Sequence, residues 1–312
     1  MKKFFLFVLI FSACGGSSDL TTVVDTTTTT VADTTTTTVA DTTTTTVGAV
    51  REEGGNNPQG SEGMRGNNNP PQLMNLLILN WGPYDSGTGI SGDFEFRSDI
   101  QVTFFDEFGR VHSAGTPSEY DNTTFEYKVP RDTKVYVPID GVIDFINWQP
   151  SSGYKQDDWE LTIKPWIGSD WAVVVDHVVS INCDRSNTSI CNIPLTINGM
   201  EIKSGSQVKA GDLLGYVGNY EDGEGGSIFG RTEITIGKYI LNGNQRDFNN
   251  YCPISYLHPN VKSNLEASVN QIMASYESWS GDSSFYNEAN MIAAGCWYNE
   301  IYESNGKTTP TK

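Results

Sequence analysis

Basic residues are scarce in this chain: 20 Lys and Arg stand against 38 Asp and Glu in 312 residues, a formal net charge of −18. Nucleic-acid binding rests on neutralising phosphates with Lys and Arg, so nucleic acid is not expected as a partner. Histidine is scarcer still, with only His112, His177 and His258, so a zinc centre relocated onto imidazoles would have to use all three. No C-x-x-C pair occurs, which counts against a zinc site made of thiolates. Long apolar runs are also missing. The one at the start, Phe4 to Phe11, falls short of the ~20 residues needed to cross about 30 Å of hydrocarbon.

What is present at the start is a targeting segment. Lys2 and Lys3 precede the apolar run, and small residues, Ser12 and Ala13, follow it before Cys14. Residues 1–13 therefore read as a signal peptide, and the order Phe11-Ser12-Ala13-Cys14 resembles the lipobox of bacterial lipoproteins. That resemblance implies lipidation of Cys14, a membrane lipid anchor, and an exported protein held on the extracytoplasmic face or the cell surface. The plainer alternative is an ordinary secretory signal with an incidental cysteine. From Asp25 to Gly48 the unit Asp-Thr-Thr-Thr-Thr-Thr-Val-Ala runs three times, and a Gly-, Asn- and Pro-rich stretch continues to Pro71. Neither can bury a core, so residues 14–71 are expected to form a disordered tether with a root-mean-square reach of about 40 Å. Residues 305–312 are expected to be a disordered tail.

The four remaining cysteines, Cys183, Cys191, Cys252 and Cys296, are even in number in a chain expected to leave the reducing cytosol. Two disulfides are expected, with Cys183 joined to Cys191 across a short loop and Cys252 to Cys296 across the C-terminal segment. Four thiolates on zinc is the rival reading.

Residues 72–304 carry the globular pattern. Leu73 to Leu79 is a strand candidate, and Phe94, Phe96, Ile100, Val102 and Phe104 show a period of two. Further β runs are 133–138, 142–148, 159–165, 171–181, 201–203, 213–218 and 232–236, separated by Gly, Pro and Asp turns. The pattern predicts a mainly β, antiparallel core. Helical periodicity appears only late, and two helices are expected, Asn264 to Trp279 and Phe285 to Glu303, in a helical tail over 252–304.

Two stretches carry a family likeness. Lys134-Val-Tyr-Val-Pro-Ile-Asp-Gly-Val142, with Pro130 and Thr133 before it, resembles the P-x-G-T-x-V-x-A-P-x-D-G-x-V run of the LytM (lysostaphin-type, M23) metallopeptidase domain. Ile202-Lys-Ser-Gly-Ser-Gln-Val-Lys-Ala-Gly-Asp-Leu-Leu-Gly-Tyr-Val-Gly218 is similar to that family's V-x-x-G-x-x-V-x-x-G-Q-x-I-G-x-x-G. Gly205 and Gly211 fall where tight turns need positive φ, and Gly215 and Gly218 where strands approach closely. Biotinyl and lipoyl carriers share this duplicated hybrid motif, but their D-K-A or M-K-M lysine tripeptide is missing here. The likeness covers residues 121–237 and implies a LytM-like antiparallel β core there.

In active members of that family a zinc is held by H-x-x-x-D and by the second histidine of H-x-H, with further imidazoles handling the attacking water. Laid on this chain, H-x-x-x-D falls on Asn122-Thr-Thr-Phe-Glu126, H-x-H on Arg231-Thr-Glu233, and the histidine of Y-x-H-L on His177. The metal positions Asn122, Glu126 and Glu233 are therefore degenerate. Arg231 stands at a lost catalytic histidine, and only His177 is kept. Arginine cannot act as a base and would repel zinc. The expectation is no bound cofactor, with Arg231 pairing Glu126 and Glu233 where the metal was lost; zinc or another divalent cation is the alternative. The plainer readings are a solvated edge strand for Arg231 and Glu233 and a hydrogen-bonded core residue for His177. The acidic loop Glu221-Asp-Gly-Glu-Gly225 is a further calcium candidate, without the alternation of a known calcium loop.

Three functions follow. The first is a non-catalytic LytM-like envelope lipoprotein that binds peptidoglycan or another envelope protein. The second is an active metallohydrolase, a peptidoglycan endopeptidase with an atypical site built from Glu126, His177 and Glu233. The third is a surface domain that binds a glycan through Trp148, Trp159, Trp166 and Trp171.

Overall fold

The computed structural model describes residues 68–84, 92–99, 102–149, 158–184, 191–219, 228–243, 245–304 and 307–311. The chain divides into two units, residues 1–60 and 61–312. The signal peptide, Cys14, the threonine repeats, Ile100 and the acidic loop all lie outside the described residues.

A twelve-stranded antiparallel sheet organises the second unit, as the period-two pattern predicts. Its strands are β1 (Phe105–Asp106), β2 (Phe125–Pro130), β3 (Lys134–Tyr136), β4 (Gly141–Gln149), β5 (Asp158–Lys164) and β6 (Trp171–Val179). There follow β7 (Gln207–Val208), β8 (Leu213–Asn219), β9 (Phe229–Asn242), β10 (Gln245–Tyr251), β11 (Glu300–Ser304) and β12 (Lys307–Thr311). The main path runs β7-β4-β5-β6-β8-β9-β10-β11-β12, while β2 and β6 both pair with β9, and β3 pairs with β8. Strand β9 is the hub. Its start pairs with β2 along one edge and with β8 and then β6 along the other, and its second half forms a hairpin with β10. Inward positions such as Phe125, Tyr127, Val129, Val173, Val175, Ile234 and Ile236 are fully buried. Gly205 and Gly211 take φ of +88° and +90° at the turns where the sequence requires them.

Four expectations change, and the first is the disordered tail over 305–312, because the threonine-rich run Lys307–Thr311 pairs antiparallel with β11 as β12. Leu73 to Leu79 is buried but is not a strand. Its backbone bonds scatter to Tyr256, Pro138 and Tyr136, and Leu77 sits at φ +69° with its N–H donating to the Asn75 side chain. Among the described residues of the run Phe94 to Phe104, no strand forms: Phe94 makes an isolated bridge to Pro83, and the Phe104 carbonyl accepts from the Lys128 N–H. One long helix, α1 (Pro259–Ser280), covers the first helical expectation, with four residues more in front of Asn264 beyond Pro259 itself. His258 caps it, its side chain accepting from the Asn260 N–H, Pro259 fits the first turn, and Gly281 ends it at φ +73°. Val269, Ile272, Met273 and Tyr276 form its buried face.

The second expected helix, Phe285 to Glu303, does not form. Asn287 and Gly295 take left-handed φ and break the period, a short 3-10 turn occupies Glu288–Asn290, and from Glu300 the chain pairs with β10 as β11. The cysteines join as expected, Cys183 to Cys191 and Cys252 to Cys296, which removes four-thiolate zinc. The second bridge spans 44 residues of sequence, and closing a loop of that size stabilises by about 4 kcal/mol on chain-entropy grounds.

Candidate functional site

Strands β2, β9 and β6 lie side by side, and their register sets charge against charge. Glu233 on β9 faces Glu126 on β2 and Asp176 on β6, so three carboxylates form one row across the sheet. Two residues along, Arg231 faces Lys128. Like charges directly opposite repel, so this arrangement stands only if the acidic row and the basic row neutralise each other. They do so. Lys128 Nζ lies 2.6 Å from Glu126 Oε1 and 2.8 Å from Asp106 Oδ2 on β1. Arg231 Nη1 is 3.8 Å from Glu126 Oε1, and its Nη2 is 3.5 Å from Glu233 Oε1.

His177 enters this cluster through a backbone irregularity. On β6, Asp176 pairs with Glu233 and Val178 with Trp159 and Val217, which leaves His177 as an extra residue in a β-bulge at φ +58°. A non-glycine residue in the left-handed region is strained by about 1 kcal/mol or more, and the bulge turns the imidazole toward β5 and β9. Its Nδ1 lies 2.9 Å from Asp158 Oδ2 and its Nε2 3.0 Å from Glu233 Oε1, and Arg231 Nη2 is also in contact with Nε2. Gly218 makes this approach possible, since a Cβ there would stand 2.5 Å from Asp158 Oδ2 and 2.8 Å from His177 Cβ.

The electrostatics follow from burial and pairing. Burial alone would discharge the imidazole, and the Arg231 contact at Nε2 also favours the neutral ring, but hydrogen bonds and charge from the two carboxylates Asp158 and Glu233 outweigh both and raise His177 to about 10, which favours an imidazolium that donates to the two carboxylates. Burial likewise opposes ionisation of Glu233, yet His177 and Arg231 hold it down at about 2. Asp176 is raised to about 6 by burial, only partly offset by His177. Asp158 is fully buried and also raised by burial. One of its oxygens bonds His177 and the other, Oδ1, has no hydrogen-bond partner among the described residues. At the rim, burial and the charges of Glu126 and Glu233 raise the Tyr120 hydroxyl.

Of the residues named from sequence, Glu126, His177, Arg231 and Glu233 come together, and Asn122 serves another purpose. The Asn122 amide donates to the carbonyls of Asp106, Glu107 and Thr124 and accepts from the Thr124 N–H, so it braces the turn before β2. Lys128, Asp106, Asp158 and Asp176 belong to the cluster and were not expected. The alternation Glu126-x-Lys128 and Arg231-x-Glu233 inside otherwise apolar strands is the signal that could have found Lys128.

Asp158, Asp176 and His177 each offer an atom within 4.8 Å of the others, a grouping able in principle to hold a cation. The donor set does not fit a catalytic zinc. A tetrahedral site with one open position needs neutral imidazole lone pairs, whereas both His177 nitrogens face carboxylates and the guanidinium of Arg231 touches one of them. Of the tryptophans proposed for glycan binding, Trp171 is buried against Tyr251 and Tyr256, and Trp148 and Trp159 pack edge to face on each other, so the four do not make one platform.

No family model matches the chain, and no curated protein is similar to it. Among solved structures it is similar to a LytM of Ruminococcus gnavus named as a glycyl-glycine endopeptidase, at 23% identity over 38% of each chain with a TM-score of 0.24. It is similar to Csd3 of Helicobacter pylori at 17% identity over 61% of this chain and 43% of that one, TM-score 0.29. A third is the catalytic domain of the prophage-encoded M23 protein EnpA of Enterococcus faecalis, at 17% identity over 50% of this chain and 95% of that one, TM-score 0.29. The chain spans less than half the length of the first two. Two of the three carry the LytM or M23 label that the sequence motifs resemble, but likenesses this slight carry no functional weight.

Proposed function

We propose that this chain is a tethered, lipid-anchored envelope protein whose LytM-like domain binds cell-wall peptidoglycan without cleaving it. One observation carries the non-catalytic part: the imidazole of His177 is held by Asp158 and Glu233 on its two nitrogens, with the Arg231 guanidinium beside it. An imidazolium at neutral pH and a permanent guanidinium have no lone pair with which to accept a proton from water or to bind zinc. The motif likeness of residues 121–237, together with a long tether behind an expected lipid anchor, supports the cell wall as the ligand.

A second reading is favoured by one feature, the Asp158, Asp176 and His177 grouping with its unpartnered Asp158 oxygen, which could take a divalent cation in an atypical hydrolase. Elemental analysis of the purified protein, paired with sedimentation on insoluble peptidoglycan, separates the two. The proposal expects no stoichiometric zinc, no chelator-sensitive release of cross-bridge peptides, and co-sedimentation with peptidoglycan. About one zinc per chain with chelator-sensitive hydrolysis overturns it in favour of the second reading, and failure to sediment with peptidoglycan overturns the ligand.

A further inference from the structure

Away from the ion cluster, two tight turns at one end of the sheet push apolar side chains into solvent. Ile167 is 79% exposed and Leu241 78%, the highest values among the exposed large hydrophobics of the described residues. Ile167 sits in the β5–β6 turn, closed by the Ser169 N–H donating to the Trp166 carbonyl at 3.1 Å. Leu241 sits near the tip of the β9–β10 hairpin, beside the exposed Ile240. The two turns adjoin, because Lys238 pairs with Trp171 and the Tyr239 N–H donates to the Asp170 carbonyl at 2.8 Å. Single exposed apolar residues are ordinary, whereas two nearly bare ones on adjoining turns form a projecting apolar tip.

Two further observations indicate what meets this tip. The first is where the chain comes from. Asn68, the first described residue, donates from Nδ2 to Asp170 Oδ2 at 3.2 Å, and its carbonyl accepts from Trp171 Nε1 at 3.1 Å. Asn68 therefore lies beside the tip, on the side of the chain that leads back in sequence toward Cys14. The second is charge. In a chain of net charge −18, Lys238, Arg246 and the buried Lys164 gather here, set against Asp144, Glu160, Asp170 and Asp247. Lys164 pairs with Asp144 at 2.8 Å, Arg246 lies 3.9 Å over the Tyr239 ring and Lys238 5.8 Å over the Trp171 ring. Cations seated on aromatic faces beside exposed aliphatic groups suit the boundary between lipid headgroups and acyl chains, where the stem is buried and the charge stays wet.

We propose that the tip formed by Ile167 and Leu241 docks on a lipid bilayer, inserting both side chains at the headgroup boundary. The inference rests on the lipid-anchor reading, since the anchor supplies the bilayer and the tether keeps it at high local concentration, so weak intrinsic binding suffices.

The test uses the mature chain, residues 14–312, carrying Cys14→Ser so that no lipid is attached, with sedimentation on vesicles of phosphatidylethanolamine and phosphatidylglycerol, three parts to one. The parent should partition onto vesicles. Ile167→Asp combined with Leu241→Asp should lower that partition by roughly tenfold or more, and Met200→Asp, at another exposed position, should leave it unchanged. No partition of the parent, or equal partition of the double variant, overturns the proposal. Labelling of the unmodified protein with a palmitate analogue, absent in Cys14→Ser, checks the anchor by itself. If labelling fails and vesicle binding holds, the anchor reading falls and the docking surface stands.

Discussion

Two buried charge clusters share Glu126 and differ in what their members can do. Around Asp106, Lys128 and Arg110 meet Asp106 and Glu107, with Lys128 Nζ 2.8 Å from Asp106 and Arg110 Nε 2.8 Å from Glu107. The C-terminal lobe closes over this group. Trp297, next to the bridged Cys296, donates to Glu107 at 3.0 Å, and the Phe285 ring lies under Arg110 at 4.6 Å. Around His177, by contrast, the backbone is strained and Asp176 is raised to about 6 by burial, while buried polar atoms without a hydrogen-bond partner among the described residues occur in both groups, on Asp106 and Arg110 in the first and on Asp158 in the second. The first cluster has the form of a structural clamp, with two cations set against its carboxylates and no histidine, although burial raises Glu107 as it does Asp176. The second holds the strained backbone and the histidine, and backbone strain in natural proteins gathers where function acts.

The largest difference should appear on removing one cation from each cluster. Lys128→Met leaves Asp106, 2% exposed, with only Arg110 at 3.3 Å, and leaves Glu126 with the more distant Arg231. A loss of about 3 kcal/mol in chemical denaturation is expected, since the cost of an uncompensated buried charge exceeds that of the pair. Arg231→Ala should cost less, about 1.5 kcal/mol, because Glu126 keeps Lys128 at 2.6 Å and Glu233 keeps His177 at 3.0 Å. Equal losses, or a larger loss for Arg231→Ala, would make the His177 cluster the structural clamp and reverse the comparison.

The same contrast explains what could be read from the sequence. Strand existence in the 121–237 region was legible, because alternation and the glycines Gly205, Gly211 and Gly218 act locally. That Arg231 would meet Glu126 and Glu233 was legible too, from their places in the motif. Asp158 and Asp176 were not, because their roles depend on a one-residue bulge at His177, and a bulge shifts the register without leaving a period in the sequence. The failed second helix has a similar cause: Gly295 and the Cys252–Cys296 bridge impose a conformation that the apolar spacing of Phe285 to Glu303 does not report. Leu73 to Leu79 reads as a strand by composition, but a buried segment bonded to several partners has the same apolar content.

Proton linkage gives the finest distinction, because only the second cluster holds a histidine. Its imidazole is raised to about 10 in the folded chain from an ordinary value of 6.5, Asp158 and Glu233 overcoming the opposing effect of burial. A raised value means that the folded state holds the proton more tightly than the unfolded one, so its stabilising contribution is complete below pH 6.5 and is lost as pH rises toward about 10. Asp176 is also raised, by burial, but its contribution is lost between pH 3.8 and about 6, before that window opens. Glu233, held down at about 2 despite burial, contributes above pH 4.5 and loses that contribution only as pH falls toward about 2. Between about pH 7 and about pH 8 the unfolded histidine is largely neutral and His177 still charged, so stability should fall by about 1 kcal/mol. His177→Gln, which keeps a hydrogen-bonding side chain and removes the titration, should flatten that slope, while Lys128→Met should lower stability without changing it. Urea denaturation at the two pH values on the three proteins is the measurement. A slope unchanged in His177→Gln would mean that the imidazole is neutral when folded, accepting from Arg231 at Nε2, and the cluster would then hold a base near neutral pH after all.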